Sequence, residues 1–362
     1  MRVTTTDKAV AGIDLHIQRY AFLALAAAAL FGASTPFAKV LLGEISPVVL
    51  AGLLYLGGGC GLALSLFIRG SGPRPREAPL AARDWGWLAG AILAGGVVAP
   101  VLLLWGLSGS GAAETSLLLS FEAVITALIA AAFFREAVGA RVWSGALVML
   151  AGGIVLAYDP RAPLALSAHS LAIVAACAGW AVDNNLTRKI AAADPVVTTV
   201  IKGLAAGSFN LALGLGLGGK LPAMGAATGA LALGFVAYGV SLVLYTRALR
   251  HLGAARTAAH FSIAPFIGAA IAIFALGEPF TVSFATALLL MLVATWLVLT
   301  ERHAHEHRHE PMGHAHRHVH DEHHQHAHRG DEGAEPHAHW HEHPPLTHSH
   351  PHLPDLHHRH RH

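Results

Sequence analysis

The chain has 362 residues, 54% of them hydrophobic and 13% charged, with a formal net charge of +2 at neutral pH. A soluble domain carries about a quarter charged residues, so water is not its main solvent, and basic residues scattered in short clusters exclude the electrostatic footprint of a nucleic-acid binder. Cys60 and Cys177, the only cysteines, each lie in an apolar run and supply too little sulfur for a disulfide framework or a thiolate metal site.

Residues 1–19 form a cytoplasmic N-terminal arm. It holds Asp7 and Asp14 and lacks the short apolar core and small-residue cleavage site of a secretory signal, so the first apolar run is read as a span. A helix crossing lipid needs about 20 mostly apolar residues, because it must satisfy its own backbone. Runs of that kind predict spans near 20–42, 46–68, 85–106, 111–134, 141–158, 168–188, 195–217, 225–246, 253–276 and 280–300. The lipid bilayer is therefore the first partner. Short basic loops stay cytoplasmic. The arm carries Arg2, Lys8 and Arg19, and alternate loops carry Arg69, Arg74, Arg76 and Arg83; Arg135 and Arg141; Arg188 and Lys189; Arg247 and Arg250. The intervening loops hold only Arg161 and Lys220, which places both termini in the cytoplasm.

The spans repeat. A shift of 142 residues lays Ala112, Ala113 and Thr115 on Ala254, Ala255 and Thr257, and Glu136 on Glu278; a shift of 149 lays Phe31 on Trp180 and Pro36 on Asn185. The fourth span thus matches the ninth and the first the sixth. An odd number of spans per copy forces the copies into opposite orientations, the inverted-repeat plan of secondary transporters. The division is 20–158 for the first repeat, 159–167 for a linker, 168–300 for the second and 301–362 for a disordered tail. The fold class is all-α: ten transmembrane helices as two inverted five-helix repeats.

Several residues carry a resemblance to a known family. Phe121-Glu122-Ala123-Val124-Ile125-Thr126-Ala127 leads to Phe133-Phe134-Arg135-Glu136, and Gly145 and Ala151-Gly152-Gly153-Ile154-Val155-Leu156 follow; the second copy has Phe261, Pro265 and Phe274-Ala275-Leu276-Gly277-Glu278. This resembles the EamA repeat of the drug/metabolite transporter superfamily over residues 20 to 300. Ala123 stands where the family often has proline, which Pro265 keeps in the second half. The resemblance implies a secondary transporter working by alternating access on small organic metabolites, such as amino acids or related compounds, and a structural role for Glu136 and Glu278.

Strongly polar groups inside a span are costly and tend to face a cavity or a partner. Glu122, midway along the fourth span, reads either as a substrate or proton site or as a group bonded to a neighbouring helix. His260 precedes Pro265 by about one and a half turns and is either a ligand or a satisfied core histidine. In the sixth span Trp180 and Asn184 are four apart and share a face, an aromatic platform beside an amide, while Asn pairs also serve helix–helix bonding. Asp183 reads as an interfacial partner of Arg188 or Lys189. Ser34, Thr35 and Pro36 interrupt the first span where the Asn pair interrupts the sixth, and matched interruptions point to a central site. Tyr238 lines the cavity or anchors the interface; Tyr245, beside Arg247, reads as an anchor. The candidate substrate residues are therefore Ser34, Thr35, Glu122, Trp180, Asn184, Tyr238 and His260. No nucleophile elbow, Walker loop or paired carboxylates appear, so no enzymatic or ATP-driven chemistry is expected.

The tail, 301–362, holds 23 of the 27 histidines. Runs such as His303, His305, His307, His309 and His314, His316, His318, His320 offer nitrogen donors suited to Zn²⁺, Ni²⁺ or Cu²⁺. Three readings stand: a metal buffer or sensor coupled to transport, the collecting arm of a metal transporter, or a low-complexity extension with incidental affinity. Export of organic metabolites leads, without a required cofactor, by a monomer or homodimer. The alternatives are a divalent Zn, Ni or Co exporter and a membrane-anchored metal sensor that transports nothing.

Overall fold

In lipid each backbone polar group must find its partner within the chain, and the apolar runs meet that demand as helices. The structure, a computed structural model, describes residues 5–68, 80–134, 139–159, 166–190, 193–252, 254–300, and the tail segments 304–308, 312–318, 337–343 and 347–351. Arg2, Arg69, Arg74, Arg76, Arg135, Glu136, Arg161, His303, His309 and His320 lie outside the described residues.

The first repeat contains α1 (Thr5–Gly32) and α2 (Ser34–Leu41) as one span, α3 (Pro47–Ile68), then α4 (Asp84–Ala91) running through a π-helical segment (Ile92–Val98) into α5 (Ala99–Gly109). Its fourth span is α6 (Ala112–Leu118) plus α7 (Phe121–Phe134), and its fifth is α8 (Ala140–Ala157). The second repeat has α9 (Ala168–Thr187), α10 (Pro195–Gly216), α11 (Met224–Gly234) with a π-helical segment (Phe235–Val240) and α12 (Ser241–Leu252), α13 (Ala254–Phe261) with α14 (Ala264–Leu276), and α15 (Val282–Leu299). Among the described residues, nine helical rods are long and apolar enough to cross a membrane. The tenth rod, α9, is 20 residues long, and Asp183, Asn184 and Asn185 lower its apolar character. Large apolar side chains such as Phe67, Phe133, Phe274 and Val282 stand outward, each at least 80% exposed, as lipid rather than water would allow. Helical structure begins at Thr5, so it extends back through most of the N-terminal arm.

The packing repeats with the sequence. The first span packs on the eighth (α1 on α12) and the sixth on the third (α9 on α5); the fourth packs on the sixth (α7 on α9) and the ninth on the first (α14 on α1). The second and seventh spans, α3 and α10, pack on one another, as do α8 and α15. A two-fold relation between five-helix halves produces this set of neighbours.

The first span breaks where the sequence predicts, between α1 and α2 at Ala33, but the sixth span does not break at the expected counterpart. α9 runs unbroken through Asn184 and Asn185, because Asn185 Nδ2 donates back to Ala181 O one turn earlier at 2.8 Å and so stays within the helix. The corresponding breaks are in the fourth and ninth spans, where α7 and α14 start 143 residues apart, at Phe121 and Ala264. The π-helical segments of the third and eighth spans also start 143 residues apart, at Ile92 and Phe235. The fourth span needs no proline to break: Ser120 N–H and Glu122 N–H donate to Leu117 O and Leu119 O at 3.0 and 3.1 Å, a tightened turn between two rods.

Glycine sets the seam between α3 and α10. A Cβ at Gly207 would lie 2.6 Å from Leu56 N, and one at Gly59 would lie 2.8 Å from Leu204 N. Backbones therefore touch, as small residues permit in membranes. Gly207→Val should force the helices apart at a cost of about 1–3 kcal/mol or more. The expected result is a lower unfolding midpoint in detergent; an unchanged midpoint would refute this packing.

Within the tail that composition reads as disordered, four short segments are described. β1 (Ala304–Arg308) pairs antiparallel with β4 (Thr347–Pro351), and β2 (Met312–His318) with β3 (His337–His343). The H-x-H alternation has the two-residue period of a strand, which composition alone does not reveal. Such two-stranded ladders are marginal in water without further support.

Candidate functional site

The last two turns of α9 carry Asp183, Asn184 and Asn185. Successive helical residues point about 100° apart, so the three reach different neighbours. Asp183, almost fully buried, forms an ion pair with Lys202, which lies two turns into α10, and accepts a bond from Thr187 Oγ1 at 3.0 Å. This corrects the expected interfacial pairing with Arg188 or Lys189: the acid turns inward, onto Gly95, where a Cβ would collide with its carboxylate. Asn184 Nδ2 donates to Glu122 Oε1 at 2.9 Å and reaches Thr126 Oγ1 at 3.4 Å. Asn185 Nδ2 donates to Thr126 O at 3.2 Å, while its Oδ1 is buried without a partner among the described residues. Glu122 is half-buried and Asn184 exposed, so this polar surface is open on one side.

One turn before Asn184, Trp180 Nε1 donates to Gly95 O at 2.9 Å and lies 3.4 Å from Tyr55 Oη. Tyr55 Oη donates to the same carbonyl at 2.6 Å. Asn210 Nδ2 likewise donates to Gly96 O at 3.1 Å. The π-helical turn explains this crowding, since its altered ladder leaves carbonyls available to side chains from α3, α9 and α10. Tyr55 stacks on Tyr238 at 5.8 Å and 30°. Tyr238 meets Phe31 edge-on at 5.8 Å and hydrogen-bonds Ser34. Phe31 continues to Phe261 at 5.4 Å, and Phe261 to Tyr245 at 5.0 Å. Tyr245 therefore joins an internal aromatic chain instead of anchoring an interface.

Of the predicted residues, Glu122 and Asn184 bond directly, Trp180 connects through Tyr55 to Tyr238, and Tyr238 to Ser34. Thr35 is buried in the same turn as Ser34. His260, half-buried, stands beside Phe261 at the end of α13, next to the break in the ninth span. Sequence reasoning missed Lys202, Tyr55 and Thr126. Lys202 had a signal, a lone cation two turns inside a span; Tyr55 and Thr126 had none.

The opposite end of the bundle is cross-braced by a clamp of hydrogen bonds. Lys39, at the end of the first span, donates to Leu107 O and Ser110 O at 2.7 Å each and to Ser108 O at 3.3 Å. Glu278, just past the ninth span, accepts from Ala112 N–H at 2.6 Å and Ala113 N–H at 2.8 Å, so one turn is gripped by its carbonyls and by its amides. A carboxylate at a helix N-terminus is favourable there. Ser170 Oγ donates to Glu114 Oε1 at 2.6 Å, and His169 stacks on Trp105 at 4.7 Å, tying the start of α9 to the same corner. Among residues with described side chains, no group of three His, Cys, Asp or Glu is placed to hold a metal ion.

Known proteins resemble this one at several levels. A family model described as the EamA-like transporter family matches residues 18–158 and again 167–300. An uncharacterized transporter of Methanothermobacter thermautotrophicus is 26% identical over 286 residues, which span 74% of this chain and 82% of that protein. A solved crystal structure at 20% identity covers 78% of this chain and 98% of its own, with a TM-score of 0.57, a likeness of fold.

Proposed function

We propose, for a chain that belongs to the EamA-like transporter family, that it exports small zwitterionic metabolites such as amino acids from the cell by alternating access, with Glu122 as its proton site. The observation that carries this reading is the Asp183–Lys202 pair, one charge of each sign held side by side in the bundle. A zwitterion brings the complementary two charges, so it can exchange partners with the pair without leaving a net charge in lipid. The Tyr55, Trp180 and Tyr238 rings beside the pair would take the apolar part of the solute, a lining typical of small-molecule sites.

Loop charge supports a cytoplasmic location for both termini, in the cell membrane. The clamp of Lys39 and Glu278 then faces outside and is closed, while the surface at Asn184 faces the cytoplasm. In this inward-open arrangement Glu122 meets solute and proton from the cytoplasm. Its bond from Asn184 ties its protonation state to the span that also holds Asp183, which couples the two events. The histidine tail takes up Zn²⁺, Ni²⁺ or Cu²⁺ on the cytoplasmic side and modulates export. The sparse ligands within the spans favour an organic solute over a transported metal, which needs three or four converging donors.

Vesicles reconstituted with the protein and loaded with labelled amino acids test this. Flux should respond to an imposed pH gradient, and Glu122→Gln should retain solute binding yet lose that response; persistence of the response would remove Glu122 from its role. Zinc or nickel flux abolished by His260→Ala would overturn the organic-solute reading, and absence of any flux would favour a metal sensor.

A further inference from the structure

The third span carries a proline inside its rod, Pro100, at the start of α5. Its effect falls on one carbonyl. The π-helical turn closes with Ala99 N–H on Ala94 O, five residues back, so the donor that an α-helical ladder would bring to Gly95 O is already engaged. The donor that a π-helical ladder would bring there is residue 100, and proline has no N–H. An α-helical register would only shift the loss to Gly96 O, four residues before the proline. Side chains serve Gly95 O instead, Trp180 Nε1 at 2.9 Å and Tyr55 Oη at 2.6 Å. The π-helical turn of the eighth span closes in the same way, with Ser241 N–H on Val236 O, but Leu242 follows it and keeps its N–H. Proline therefore frees a carbonyl in one half and not in the other.

Two donors fill the two lone pairs of a carbonyl oxygen. Trp180 Nε1 and Tyr55 Oη sit 3.4 Å apart on this one, so a single atom sets the orientation of rings from two spans. Tyr55 passes that orientation to Tyr238 by stacking. The same residue brings charge to the rings: a glycine at position 95 leaves room for the Asp183 carboxylate, which pairs with Lys202. Rings fixed before a solute arrives lose little freedom on its arrival, which lowers the ordering cost of binding.

We propose that Pro100 is a positioning residue for the solute: it strips Gly95 O of its ladder donor, and that carbonyl holds Trp180 and Tyr55 as the wall on which the apolar part of a zwitterion packs beside Asp183 and Lys202. This deepens the zwitterion-export reading and rests on it. In Pro100→Ala the restored N–H completes either ladder. A π register bonds it to Gly95 O directly; an α register bonds it to Gly96 O and turns Ala99 N–H onto Gly95 O. Either way Gly95 O gains a backbone donor and its hold on the rings weakens.

The full chain labelled with 5-fluorotryptophan reports Trp180 by fluorine NMR in detergent, its line identified by its loss in Trp180→Phe. Pro100→Ala should move that line. In vesicles it should raise the KM for amino-acid export at least about tenfold with the maximal rate held within about twofold, the pattern of lost binding rather than lost turnover. Trp180→Phe keeps an aromatic ring, deletes the donor and should raise KM alike. The two substitutions together should do no more than either alone, because both break one bond. An unmoved Trp180 line, or KM effects that multiply, overturns the positioning role. A moved line in a chain that carries no amino acid overturns the export reading, and with it the role in solute binding, while the coupling of Pro100 to Trp180 stands.

Discussion

Lys202→Met should remove nearly all transport and lower the unfolding midpoint of the protein. The substitution leaves Asp183 buried against Gly95 with the Thr187 hydroxyl still donating to it, and breaking a buried pair costs about 3–5 kcal/mol. A second substitution separates the two effects. Lys202→Met with Asp183→Asn removes both charges, so stability should return towards wild type, as replacing a buried pair by neutral groups often allows. Transport should stay at least a hundredfold down, because neither charge remains to exchange with a zwitterion. Thermal unfolding in detergent and labelled amino-acid flux in vesicles read the two quantities. A Lys202→Met protein with a native midpoint would mean that the pair is not desolvated; a double variant with native flux would mean that the pair is scaffolding.

Glu278→Ala should open the clamped end. It deletes two bonds from backbone amides to a carboxylate, and bonds to charged groups contribute about 1.5–3 kcal/mol each. Those bonds join the ninth span to the fourth and belong to the closed arrangement, so losing them favours the alternative, where each 1.4 kcal/mol moves a population about tenfold. With Cys60→Ser removing the exposed native thiol, Ser110→Cys placed in the gripped turn should react with a membrane-impermeant thiol reagent at least ten times faster in Glu278→Ala. Glu278→Gln keeps an oxygen acceptor and should fall between. Equal labelling in all three backgrounds would rule out a gate at Glu278.

The spans were readable because lipid imposes one arithmetic, about 20 apolar residues per crossing; the observed rods Pro47–Ile68, Ala112–Phe134 and Ala168–Thr187 lie within a residue of their expected bounds. The repeat was readable because Glu136 and Glu278 punctuate an otherwise uniform sequence. The break in the fourth span was not, since Leu119 and Ser120 carry no proline and the turn there rests on backbone bonds reaching three residues back. Asp183 was assigned to the wrong cation for a related reason: proximity in sequence favoured Arg188 and Lys189, whereas Lys202 becomes adjacent only once α9 and α10 fold together. Trp180, Glu122 and Asn184 were singled out by a simple rule, polar atoms where lipid forbids them, and the same rule applied to Lys39, Glu114 and Lys202 would have pointed to their polar contacts as well.

The seam of α3 on α10 has a mechanical meaning. At Gly207 and Leu56 backbone approaches backbone, so a departure of one helix from the other forfeits close contact at once. The first and ninth spans meet as closely, where a Cβ at Gly268 would lie 2.6 Å from Gly32 O. The α3–α10 seam is thus a stiff join between the two halves.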